Sequence, residues 1–237
     1  MVRQERKVLA LRGGVAARWV AALSLCVVWS WSWPGWCETV LLRRRSLELL
    51  EGLELIFYTE QRHGFQDVFT SQVQVERVSR GEGGALGAVR FGWRMFGARK
   101  HAGYDERGVV TTTGLSSGRS FNAWWSQGAE QVTSDTQLWL SQEACRELMT
   151  QGHTTYAMDR RIRGDGALRL ERVRESRYAV RLGGEEVELS ALELRSERED
   201  RVVMLADCAN PLVLEIDLPG LYVVRLEEAR LRRGVVR

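Results

Sequence analysis

Asp135-Thr136-Gln137-Leu138-Trp139-Leu140-Ser141-Gln142-Glu143-Ala144-Cys145-Arg146-Glu147-Leu148-Met149-Thr150-Gln151-Gly152 is the stretch on which the fold turns, because it ends in the one clear helix of the chain. Ser141 stands just before the apolar periodicity, where its hydroxyl can accept from the free N–H groups of the first turn. Leu140 and Cys145 flank that cap as a hydrophobic staple. Glu143 suits the positive end of the helix dipole. Gly152 supplies the left-handed residue that stops the helix. Ala144, Cys145, Leu148 and Met149 fall at i, i+1, i+4 and i+5 and so share one face. That face needs an apolar partner, and the rest of the chain offers only strands.

Outward from the helix the apolar period drops to two. Leu53, Leu55 and Phe57 alternate with polar or outward residues, as do Phe69, Ser71, Val73 and Val75. Val89, Phe91, Trp93 and Met95 define the next strand face, and Phe121, Ala123 and Trp125 another. Val109 to Thr113 is β-branched throughout, which favours a strand, and Gly114 to Gly118 reads as a turn. Beyond the helix, Tyr178, Val180 and Leu182 lead through Gly183-Gly184 to Val187 and Leu189, a hairpin signal. The apolar phase then shifts at Ala191, so that Leu192 and Leu194 predict a bulge there. Val202 to Ala206, Leu212 to Leu218 and Tyr222 to Leu226, joined by short turns, predict an antiparallel meander. The expected fold is mainly β (α+β): one curved or partly closed antiparallel sheet with a single helix packed against it. It occupies one β-rich domain, residues 38–237.

Residues 1–37 differ in kind. Arg3, Arg6, Lys7, Arg12 and Arg18 share the start with a single acid, Glu5, and Trp19 to Trp33 then carries no charge. A basic region followed by a short apolar run, broken at Pro34, reads as a secretory signal peptide ending near Cys37, with a retained membrane anchor as the alternative. The apolar run is short for a membrane span, so the remainder is expected not to cross a membrane. Leu23-Ser24-Leu25-Cys26 has the outline of a lipid-attachment box, but Leu25 is too large for the position before the cysteine. Export to the periplasm or beyond is the expectation.

Removing the leader changes the charge argument. The chain has 34 basic and 31 acidic residues; without those five bases and one acid, 29 and 30 remain. The basic excess therefore belongs to the leader, and the remainder has no overall charge with which to attract nucleic acid. Of the four cysteines, Cys145 and Cys208 are left, and an even pair in an exported chain predicts a disulfide. No cysteine pair has metal-ligand spacing, and His63, His101 and His153 lie far apart, so no metal and no cofactor is expected.

The stretch Asp135 to Ser141 with its following helix, together with Leu205-Ala206-Asp207-Cys208-Ala209-Asn210-Pro211-Leu212, resembles parts of an uncharacterised family of exported bacterial β-rich proteins. That resemblance implies export and a β fold, and no activity. The order of long strands, one helix and a final meander is also similar to the half-barrels of lipoprotein carriers, by architecture alone.

Catalytic motifs fail on context. Gly114-Leu115-Ser116-Ser117-Gly118 fits G-x-S-x-G, but no helix is expected after Ser116, and Asp135 and His153 follow too closely for that fold. Asp135-Thr136 lacks the small third residue of an aspartic-protease loop, because Gln137 stands there. The expectation is no enzyme. The aromatic residues offer more, since aromatic walls line apolar cavities inside curved sheets and equally fill cores. The expected function is an exported, non-enzymatic binding protein for an apolar small molecule or lipid, held between helix and sheet. Trp93, Phe121, Trp125, Trp139, Tyr156 and Met149 are its candidate ligand-binding residues. A structural or protein-interaction module of the envelope, with a filled core, is the alternative, and a hydrolase the third reading.

Overall fold

The computed structural model describes residues 42–43, 46–64, 66–81, 84–97, 105–122, 131–159 and 166–232, all within the unit Cys37–Arg237. The expected leader and Trp125 lie outside the described residues. Two short strands, β1 (Leu42–Arg43) and β2 (Ser46–Leu47), pair with each other. Then come β3 (Leu53–Gln61), β4 (Asp67–Arg80), β5 (Leu86–Phe96) and β6 (Asp105–Val110), which pair antiparallel in succession from β3 to β6. A short helix α1 (Thr112–Ser117), β7 (Ser120–Phe121) and β8 (Gln131–Thr133) lead to the main helix α2 (Gln142–Gln151). After it follow β9 (His153–Met158), β10 (Ala167–Leu182), β11 (Glu185–Ser196), β12 (Arg201–Leu205), β13 (Val213–Leu218) and β14 (Tyr222–Leu231).

The fold is mainly β, as the alternating pattern predicts: twelve strands form one sheet in the order β7-β9-β10-β11-β12-β13-β14-β3-β4-β5-β6-β8. Neighbours consecutive in sequence pair antiparallel. Parallel pairings occur where the chain crosses over, between β6 and β8, β7 and β9, and β10 and β14. The two ends of this sheet meet. Just after β8, Thr136 donates its N–H to Ser120 O (2.7 Å) and accepts from Asn122 N–H (3.0 Å), a bridge onto β7. The sheet is thus rolled nearly closed, which removes open strand edges there.

The rolled sheet buries two cores, one on each face of β11, β12 and β13. Leu189, Ala191, Val203, Leu205 and Leu214 face the inner core, with Leu55, Phe57, Val75, Phe91 and Trp139. Leu192, Leu194, Val202, Met204 and Ile216 face the outer core, beneath α2. This double burial corrects the expected bulge at Ala191. Both apolar phases of β11 are buried, so Leu192 and Leu194 need no register shift. The bulge lies instead in the neighbouring strand, between Arg172 and Arg174. One extra residue flips every later side chain to the other face. Leu170, before the bulge, packs in the outer core, and Val180 and Leu182, after it, pack in the inner one. β10 therefore crosses from one core to the other. At its far end it meets β14 in parallel, and the Tyr178 hydroxyl reaches the carbonyls of Leu214 and Leu226, both at 3.1 Å. Gly183 and Gly184 turn the hairpin with positive φ, 60° and 105°.

The helix forms as its sequence predicts. Ser141 Oγ accepts from Ala144 N–H at 3.2 Å, and Gly152 ends it at φ 79°. Leu140, Ala144, Cys145 and Leu148 are fully buried in the outer core, while Met149, expected on that face, is 40 % exposed. Cys145 and Cys208 form a disulfide with Cα atoms 5.4 Å apart. It ties the helix to the turn between β12 and β13. The second helix, α1, falls where the sequence reads a strand end and a turn. Thr111 caps it, accepting from Gly114 N–H at 3.2 Å, and that local bond outweighs the β preference of Thr112 and Thr113.

Candidate functional site

Among the described residues the buried inner face falls into a main core and a smaller cluster, with Trp93 packed against both. Phe69 and Met95 form a small buried cluster of their own, with Trp93 packed beside them. Between that cluster and the main core runs a cleft. It is lined by Phe57 and Thr59 of β3, Phe69, Ser71 and Val73 of β4, Trp93 of β5, and Val224 of β14, which pairs with Thr59. Phe121 of β7, Gln137, Leu138 and Val213 to Ile216 complete the lining. It holds ≈ 590 Å³ of empty space, its opening to solvent included, but only ≈ 40 Å³ of it is wide enough for the centre of a water-sized sphere. A drug-sized ligand needs about 300 Å³ or more. A ligand therefore enters only as the lining side chains part.

Local structure holds that wall in place. Leu138 has φ 61°, a left-handed conformation that costs a leucine about 1 kcal/mol or more. The strain is held by pairing on the C-terminal side: Leu140 N–H donates to Pro211 O (3.0 Å), and Val213 N–H to Leu138 O (2.7 Å). Trp139, between them, pairs with Leu212 and donates its indole N–H to Asn210 Oδ1 at 3.0 Å. Asn210 in turn donates to Leu47 O at 2.8 Å. The stretches 135–141 and 205–212 thus lie against each other.

Of the residues expected to hold a ligand, the structure brings two to this cleft, Trp93 and Phe121. Trp139 and Tyr156 are fully buried in different cores and do not line it. The Tyr156 hydroxyl pairs with Thr136 Oγ1 at 2.5 Å, and burial pushes its pKa well up, so it stays a phenol. Met149 lies on the exposed side of α2. The space between helix and sheet is filled by Leu140, Ala144, Cys145 and Leu148, which corrects the expectation of a ligand beneath a helical lid.

Sequence reasoning missed two polar groups of this inner face. Ser71 is buried in the cleft wall with no hydrogen-bond partner for its hydroxyl. Glu106, on β6 directly opposite Trp93, is 7 % exposed, and its Oε2 likewise has no partner. Desolvation raises the Glu106 carboxyl above the ordinary carboxylate range. Both signals were in the sequence as polar residues at inward positions, Ser71 in phase with Val73 and Glu106 in phase with Val110.

The catalytic motifs place no reacting groups together. Ser116 sits within α1 and donates to Thr113 O at 3.2 Å. Asp135 accepts from the Asn122 side chain at 2.8 Å. No group of three or more metal-ligating side chains occurs among the described residues. No helix among them is long and apolar enough to cross a membrane.

One exposed cluster is strongly polar. Arg119, between α1 and β7, donates to both Glu147 carboxylate oxygens at 2.6 Å, and Thr154 donates to the same carboxylate at 2.5 Å. The Arg119 hydrogen bond first, and then Thr154, lower the Glu147 pKa from 4.5 to about 2. The stabilisation is therefore fully present above pH 4.5 and is lost as pH falls toward 2. Arg119 is 39 % exposed, so water screens the pair. Glu147→Gln is expected to cost about 1–2 kcal/mol at neutral pH and nothing near pH 2. Urea denaturation of both proteins from pH 7 to pH 2 checks this; a gap that does not close on acidification would assign the cost to packing.

Fold and site together define a mainly β protein with a rolled sheet, a disulfide-pinned helix and one apolar cleft. Comparison with family models, with curated proteins and with solved structures finds no match.

Proposed function

We propose that the chain is an exported, non-enzymatic binding protein of the bacterial envelope that takes an apolar or lipidic ligand in the cleft beside Trp93. The observation that carries this reading is the apolar cleft lined by Phe57, Phe69, Trp93, Phe121 and Leu214. Each buried methylene of a chain laid there gains about 0.8 kcal/mol, against the cost of parting the walls and immobilising the ligand. Export rests on the leader, and the disulfide is compatible with it. A second reading is a structural or interaction module with no ligand, favoured by the narrowness of the resting cleft, ≈ 40 Å³.

Titration with the neutral fluorophore N-phenyl-1-naphthylamine separates the two. The expected result is one saturable site at micromolar probe, weakened about tenfold by Trp93→Ala through loss of an aromatic contact. An absence of saturable binding leaves the structural module.

A further inference from the structure

We propose that the ligand of the cleft is an uncharged apolar chain with a hydrogen-bonding oxygen part-way along its length, a mid-chain ketone, ester or secondary alcohol, and that the Ser71 hydroxyl meets that oxygen. The inference rests on the binding reading above and adds the chemistry and the position of one polar group. Ser71 lines the cleft, is 4 % exposed, and its Oγ has no hydrogen-bond partner. Such hydroxyls are rare in native proteins, because each has given up water and gained no bond in exchange. A ligand oxygen that reaches Ser71 restores the bond. The lining has three other polar residues. Gln137 has an interaction of its own, and Glu215 is held by Arg201 and by Arg225, the latter at 3.6 Å. Thr59 is the diagonal neighbour of Ser71 across the β3–β4 pair.

The position of the oxygen follows from register. Ser71 is the middle one of three inward residues of β4 that line the cleft, between Phe69 and Val73. It pairs with Phe57 on β3 and with Met95 on β5. All four of these neighbours are apolar and buried. A chain that brings an oxygen to Ser71 therefore meets apolar wall on both sides of that point, and methylenes extend both ways from it. A terminal headgroup placed there would leave part of the wall with no hydrophobic partner. The absence of charge follows from the same lining. Among the described lining residues there is no lysine or arginine, and Glu215 is the one acid. A carboxylate would give up its hydration for a single hydroxyl, in a low-dielectric site that already holds an acid. An ammonium would find Glu215 already shared between two guanidinium groups. A ketone or ester carbonyl accepts from the Ser71 hydroxyl, and an alcohol donates to it or accepts from it.

The test is competition against bound N-phenyl-1-naphthylamine at pH 7 by three isomers of one ketone, 2-, 4- and 6-undecanone, and by undecanoate as the charged chain of the same length. The isomers share a formula and nearly share hydrophobicity, so a difference among them reports where the oxygen sits. An internal ketone, 4- or 6-undecanone, is expected to displace the probe at concentrations about tenfold below that of 2-undecanone, with undecanoate the weakest. Ser71→Ala is expected to shrink the spread among the isomers to about twofold or less. That ratio is taken within one protein, so a general change in the walls cancels from it. The same variant should unfold at a urea concentration no lower than the unaltered protein, because a hydroxyl without a partner adds nothing to the ligand-free fold. A lower midpoint would give Ser71 a partner in the free protein, a buried water included, and overturns the proposal. So does an isomer ranking that is flat, that favours 2-undecanone or that survives Ser71→Ala, and so does undecanoate binding as tightly as the best ketone. A probe that shows no saturable binding refutes the binding reading itself, whereas saturable probe binding with any of those results refutes only this inference.

Discussion

Replacing Trp139 with alanine is expected to cost about 3–5 kcal/mol of stability, the range for deleting a large aromatic from a closed core. Three features set that magnitude. The side chain is fully buried, with its ring 6.0 Å from that of Phe91. Its indole N–H satisfies Asn210, which also holds Leu47, so the deletion strands a buried amide oxygen. Its backbone pairs with Leu212, beside the strained Leu138. The cavity left behind cannot collapse readily, because strands on both sides are fixed by their own ladders. Trp139→Phe keeps most of the apolar volume and loses the N–H, so it should cost about 1–3 kcal/mol. The comparison separates packing from hydrogen bonding. Urea denaturation midpoints with unchanged slope are the measurement. A loss below about 1 kcal/mol for the alanine variant would mean that this junction is not a structural anchor.

The disulfide carries the second large effect. Cys145 and Cys208 are 63 residues apart in sequence, and closing a loop of that size restricts the unfolded chain by about 4 kcal/mol in the chain-entropy account. Replacing both by alanine should lower the melting temperature by roughly 10 °C for a domain of this size. The loss should be shared by the intact protein under reducing conditions, which distinguishes the bond from the packing of its sulfur atoms. The bond also holds the helix over Leu192, Leu194, Val202 and Met204, so its removal is expected to speed hydrogen exchange in α2 before that in β3 and β4. Uniform exchange across both would show that helix and sheet open as one unit.

The carrier reading changes in place more than in kind. A ligand beneath a helical lid followed from the apolar helix face and from the number of aromatic residues in the middle of the chain. The structure uses that helix face to complete a core, and Trp139 and Tyr156 are spent on packing. Trp93 and Phe121 alone, of the expected set within the described residues, reach the cleft. Aromatic composition marks where large apolar groups lie, and says nothing of whether the space around them is filled.

Short-range physics was legible in the chain. Ser141, Glu143 and Gly152 set the helix ends, because a cap and a left-handed stop act within one turn. Gly183-Gly184 set the hairpin, because a two-residue turn needs positive φ. The alternation of Leu212 to Leu218 and Tyr222 to Leu226 set the final meander, because a strand with a buried face must place apolar residues every second position. The Cys145–Cys208 pair followed from counting. Tertiary structure alone decided the rest. Periodicity reports that a face is buried, and it is silent on what covers it. β11 is apolar in both phases because two cores meet on it, a pattern that within one strand looks the same as a bulge. The bulge at Val173 moves β10 from one core to the other, and its cause is the register with β11, which no local signal records. Ser71 and Glu106 are ordinary polar residues until the rolled sheet turns them inward and removes their water. That desolvation is a property of the closed sheet and not of any stretch of sequence.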